Sequence, residues 1–133
     1  MTRREIREQI FQILFRIDFY QEAEFLEQLD EYAKEQEASE ADAAYMQDKI
    51  RAVAEKVTEI DEMINAVTKG WKTGRMGKVD LTLLRLAVYE IKFEEEIPTG
   101  VAINEAVELA KKYGTDGSFS FINGILAKLV TAE

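Results

Sequence analysis

The chain contains no cysteine and no histidine. The first absence excludes disulfides, thiolate nucleophiles and sulfur-ligated metals, and it fits a reducing cytoplasm. The second removes the commonest general acid or base and the commonest zinc ligand, and with them most hydrolase and zinc-site arrangements. Carboxylate or lysine chemistry remains possible for an enzyme. No apolar run approaches the roughly 18 to 20 residues of a membrane span. The opening Met1-Thr2-Arg3-Arg4-Glu5 leads into charge rather than an apolar leader, so neither export nor insertion is expected.

What is present is charge and helical spacing. The 133 residues suit one domain with an ordinary hydrophobic core, spanning residues 1–133. A net charge of −9 argues against a nucleic-acid partner, since phosphate binding needs Lys and Arg to displace counterions. The charge is unevenly spread, however. Residues 22–62 hold 14 Asp/Glu and 4 Lys/Arg, whereas the remainder holds 12 and 13. Surfaces outside the acidic segment are therefore free to be locally basic.

Ile10, Ile13, Leu14 and Ile17 form one stripe of an amphipathic helix over 4–20, with Phe11, Phe15 and Phe19 on a neighbouring face. A second helix is expected from Glu24 to Glu37, with Phe25, Leu29, Tyr32 and Ala33 on one side and acids on the other. Ser39 is the expected N-cap of a longer helix to Lys69, with Asp61 and Glu62 as the candidate break. The stretch 70–78 carries three glycines with Lys72, Arg75 and Lys78 and reads as a connector anchored in the core by Trp71. From Val79 to Ile91 the chain is apolar on nearly every side, as in the central helix of a bundle, except for the line Lys78, Thr82, Arg85, Tyr89 and Lys92. Pro98 and Gly100 break the chain, a helix follows from Ala102 to Tyr113 with Gly114 as its C′ residue, and Ser118 caps the last helix. No strand alternation or internal repeat is evident. The fold class is all-α, a compact bundle of six to seven helices.

Three stretches together resemble the NusB family of bacterial transcription antitermination factors. They are Val79-Asp80-Leu81-Thr82-Leu83-Leu84-Arg85-Leu86-Ala87-Val88-Tyr89-Glu90, then Pro98 to Lys111 with Ala102-Ile103-Asn104-Glu105-Ala106 at its centre, and Phe121-Ile122-Asn123-Gly124-Ile125-Leu126. The Arg3-Arg4-Glu5-Ile6-Arg7-Glu8 opening and the Trp71 connector match as well, and residues 22–62 match least. The resemblance implies two three-helix subdomains around one core. It also implies binding of single-stranded boxA RNA of ribosomal RNA leaders jointly with NusE, a small-subunit ribosomal protein, which ties the transcript indirectly to elongating RNA polymerase. Relatives often carry Tyr where this chain has Phe15, so a hydroxyl available to RNA is missing here.

Single-stranded RNA is usually held by cations on phosphates and rings on bases. The candidate RNA-binding residues are Arg3, Arg4, Arg7, Phe15, Arg85, Lys111, Tyr113 and Phe121. Each has an ordinary alternative. The arginines of the first helix could pair with Glu5 and Glu8 in solvent, with Arg3 in a frayed terminus. Phe11 is favoured as core. Arg85 could pair with a carboxylate such as Glu90 or Glu105, and Lys111 and Lys112 could simply complement a helix C-terminus. Lys72, Arg75, Lys78 and Asp80 mix signs in a way that suits a protein contact, and by resemblance they face NusE. Asn104 and Glu105 are read as helix-end residues rather than catalytic ones, and Asn123 and Gly124 as a close helix approach.

The leading expectation is therefore an RNA-binding antitermination factor, without cofactor or metal, able to form a homodimer. The alternatives are a helical protein-interaction module with little RNA affinity, or the front domain of a ribosomal RNA methyltransferase. The latter lacks any glycine-rich cofactor unit in this sequence.

Overall fold

The structure, a computed structural model, describes residues 1–35 and 38–131. Among them are seven α-helices and no strand. The chain divides into two units, Met1–Lys56 and Val57–Glu133.

In the first unit α1 (Arg3–Leu14) opens on a capping box: the Glu5 N–H donates to the Thr2 hydroxyl at 3.1 Å, and the Thr2 N–H donates to the Glu5 carboxylate at 3.0 Å. Arg3 is therefore the first residue of a capped helix. The helix stops earlier than the apolar stripe predicts. The Arg16 N–H bonds back three residues to Ile13, and a 3-10 turn, Ile17–Phe19, follows. Ile17 accordingly falls short of full burial, while Ile10, Phe11, Ile13 and Leu14 are buried.

Helix α2 (Glu22–Glu35) buries Phe25 and Leu29. The expected end at Glu37 lies outside the described residues, as does the Ala33 side chain. Helix α3 (Glu40–Glu55) is capped as expected by Ser39, whose hydroxyl accepts from the Asp42 N–H at 3.1 Å. Both α1 and α2 pack on α3, whose Met46, Ile50 and Val53 are buried.

The long helix expected over 39–69 breaks at Lys56, not at Asp61 and Glu62. The Lys56 N–H is shared between the carbonyls of Ala52 and Val53, which tightens the last turn of α3. Helix α4 (Val57–Val67) then starts the second unit with Asp61 and Glu62 inside it. Gly70, at φ +78°, turns the chain into the connector; this is backbone that a side chain would strain. A 3-10 turn, Thr73–Arg75, precedes α5 (Lys78–Phe93). Every residue from Leu81 to Val88 is buried, and α5 packs against α4, α6 (Thr99–Tyr113) and α7 (Ser118–Thr131), as a central helix should. The second unit thus holds four helices where the resemblance implies three.

Two terminal signals work differently from expectation. Gly114 is extended, φ −91° and ψ −169°, so it is not a left-handed C′ residue. It is small because a Cβ there would stand 2.5 Å from Ser118 Cβ. The Ser118 hydroxyl accepts from the N–H of Thr115 at 2.9 Å, closing the loop behind it rather than capping the helix ahead.

Candidate nucleic-acid interface

In the first unit the candidate residues descend one helix. Arg3 and Arg4 are exposed in its first turn, whereas Arg7, one turn on, is buried; Arg4 and Arg7 both have interaction partners. The sequence treats the three arginines alike, but the structure separates them. Below them the rings form a ladder. Phe11 and Phe15 have centroids 6.5 Å apart, and Phe15 and Phe19 have centroids 5.8 Å apart. Burial decreases along it, from a buried Phe11 through a half-buried Phe15 to a Phe19 that is 61% exposed. The preference for Phe11 as core fits.

Two further contacts escape the sequence pattern. The Arg16 guanidinium lies 4.2 Å from the centre of the Tyr32 ring, pinning the corner after α1 to α2 with about 0.5–1 kcal/mol. The Glu5 carboxyl is held below its ordinary 4.5, chiefly by the Thr2 backbone N–H and then by the Thr2 hydroxyl.

In the second unit Arg85 is buried, and its guanidinium forks onto Asp61 of α4, at 2.9 Å from Nε and 2.7 Å from the terminal nitrogen. The expected carboxylate pair is thus present at this fork, made by Asp61, a residue taken for a helix break, where the sequence offers Glu90 and Glu105 as examples. Lys111 is exposed, 3.4 Å from Glu108 and 5.8 Å from the centre of the Phe119 ring. Tyr113 is half-buried, with the Lys112 ammonium 5.4 Å from its ring centre.

Trp71 is not a core anchor. It is 53% exposed, and its indole meets the half-buried Phe121 edge to face at 6.0 Å and 68°. The buried connector residue is Met76. Gly124 also departs from expectation: it is exposed, with nothing within 4 Å of where its Cβ would stand, so no helix approaches there.

The connector is held by a residue that the sequence did not single out. Asn65 of α4 accepts the Thr73 N–H at 2.9 Å through Oδ1, and its own Nδ2 reaches the Thr73 hydroxyl at 3.5 Å. The Lys72 ammonium donates to the Asn65 carbonyl at 3.4 Å. Lys72, Arg75 and Lys78 are exposed, and Asp80 is half-buried at the start of α5. Nothing in the sequence pattern marks Asn65, since its partner is a backbone group eight residues away. Asn104 and Glu105 fall inside α6, which begins at Thr99, so they do not cap it.

Among the described residues no group of three or more acidic side chains could hold a metal ion, and no helix is long and apolar enough to cross a membrane. The family model described as the NusB family matches residues 4–131. The transcription antitermination protein NusB of Agathobacter rectalis is 51% identical, over 96% of this chain and 98% of its own. A solved structure of T. maritima NusB superposes with a TM-score of 0.89 at 35% identity, covering 98% of this chain and 92% of that one. A crystal structure of the antitermination factors NusB and NusE in complex with double-stranded RNA matches with a TM-score of 0.83 at 25% identity, covering 98% and 97%.

Proposed function

Because this chain belongs to the NusB family, a family of transcription antitermination proteins and not of enzymes, we propose that it binds single-stranded boxA-type RNA of ribosomal RNA leaders together with NusE. In this reading residues 1–133 serve as one RNA-binding domain in the cytoplasm. The mechanism is tethering, with the grip on the nascent transcript keeping it tied to elongating RNA polymerase.

The observation that carries the reading is the succession of cations and rings along α1 and the turn that follows it, on a chain whose net charge is −9. Arg3 and Arg4 stand exposed in the first turn, and the half-buried Phe15 and the exposed Phe19 follow on the same stretch. Cations neutralise phosphates and rings stack on bases, each stack worth roughly 1–3 kcal/mol. Lys111, Tyr113 and Phe121 supply the same two ingredients in the second unit. Arg85 is the weakest of the proposed contacts, since Asp61 already holds its guanidinium. Lys72, Arg75, Lys78 and Asp80 form the proposed NusE-facing surface, a reading supported by the related NusB that was crystallised with NusE.

Fluorescence anisotropy of labelled boxA RNA against a scrambled RNA, with and without NusE, tests this. A preference for boxA that increases with NusE is expected. Arg3→Glu with Arg4→Glu should weaken binding and flatten the salt slope by about 1.4, as expected for two lost phosphate contacts on a single strand. No preference in any arm would instead favour a helical protein-interaction module with little RNA affinity, the reading that the −9 charge and the buried Arg7 and Arg85 support.

A further inference from the structure

Trp71 is the one tryptophan of the sequence, and more than half of its surface faces solvent. Tryptophan is the largest apolar payload a fold can bury, so leaving it out forgoes core stability unless the ring is used elsewhere. Its position is also specific. The edge-to-face contact with Phe121 fixes the indole against α7 at 6.0 Å, so the exposed ring is held in place by an aromatic neighbour. Gly124 lies one turn after Phe121 on α7, is exposed, and has open space where a side chain would stand. Mid-helix glycine is unfavourable relative to alanine, and here no internal packing accounts for it.

The charge next to the ring in sequence points to the class of ligand. Residues 69–78 contain Lys69, Lys72, Arg75 and Lys78 and no acid, on a chain of net charge −9. A flat exposed ring flanked by cations is the chemistry that holds single-stranded nucleic acid, because every base has a face to stack and every nucleotide a phosphate to neutralise. We infer that the Trp71 indole is a base-stacking surface that carries the RNA contact from Phe121 into the connector. The inference rests on the RNA-binding reading above and adds to it a residue and a segment otherwise assigned to the protein partner.

A sole tryptophan makes the test direct. Labelled boxA RNA is titrated by anisotropy while the indole fluorescence is followed in the same samples. Saturable quenching with the same midpoint as the anisotropy is expected. Trp71→Leu should weaken RNA binding about tenfold, within the range for one stacked base. Its helical circular dichroism and melting temperature should stay near those of the parent, since the ring is largely outside the core. Phe121→Leu, which keeps the reporter, should reduce the quenching.

Binding by anisotropy with an unchanged indole and an unaffected Trp71→Leu variant would overturn the inference while leaving the RNA reading intact. So would an indole that responds to NusE alone and not to RNA, which would assign Trp71 to the protein contact. Absence of any RNA binding by the parent protein would remove the broader reading and this inference together.

Discussion

The fork between Arg85 and Asp61 makes the strongest energetic prediction. Arg85 lies on the central helix with 7% of its side chain exposed, and Asp61 on α4 with 20%. Removing the acid leaves a guanidinium in a largely dry site, and breaking a buried pair in this way typically costs about 3–5 kcal/mol. The fifth of Asp61 that reaches water moderates this, so about 3 kcal/mol is expected for Asp61→Ala. For a chain of 133 residues that corresponds to a fall in melting temperature of about 10 °C. Asp61→Asn retains one acceptor and should lose about half as much. Replacing both partners together, Asp61→Leu with Arg85→Leu, should recover part of the loss, because both charges of the fork are then gone. Thermal melts of the parent and the three variants by circular dichroism measure all of this. An Asp61→Ala melt within about 2 °C of the parent would mean that the fork stabilises little.

Asn65→Ala should release the connector, and the Thr73 amide, now without its acceptor, should exchange up to about tenfold faster by NMR hydrogen exchange. An unchanged rate would show that other contacts hold the turn. Gly114→Ala drives a Cβ to 2.5 Å from Ser118 Cβ and 2.8 Å from the Ala110 carbonyl, atoms that cannot swing aside, so a loss of about 1–3 kcal/mol is expected in a denaturant titration. The Glu5 carboxyl is held below 4.5 in the folded state, so its contribution to the first turn of α1 is complete above its unfolded value. That contribution fades as pH falls through the lowered folded value. Amide exchange at Glu5 followed down from pH 5 should show fraying that Glu5→Gln makes independent of pH.

Much of the architecture could be read from spacing alone. The nearly uniform apolar run from Leu81 to Val88 could only be a helix covered on all sides, and Ser39 announced the start of α3 through the geometry of a cap. The failures share a cause. Val53, Val57 and Ile60 stay in step across Lys56, so periodicity carried the helix through a break that is made by the backbone alone. Trp71 sits in a loop, where there is no periodicity to say whether an aromatic ring faces in or out. Gly124 and Gly114 were assigned roles from residue type, but the need for a glycine depends on what stands opposite its missing side chain. Asp61 and Asn65 act on groups 24 and 8 residues away, separations that only the folded chain defines. Of the candidate site, the rings on and just after α1 and the exposed lysines and arginines were legible as residue types. Which of them remain available was not, because the arginines at 7 and 85 satisfy the cationic pattern yet are spent inside the fold.

The Asn65 clamp also bears on recognition. A loose glycine-bearing segment must be immobilised when a ligand arrives, at about 1–2 kcal/mol of backbone entropy per residue. Here the turn at Thr73 is already tied to α4 before any encounter, so that portion of the ordering cost is met during folding rather than at association. The connector is thus preorganised, and a binder that meets Lys72 and Arg75 docks onto a fixed relief instead of capturing a moving strand.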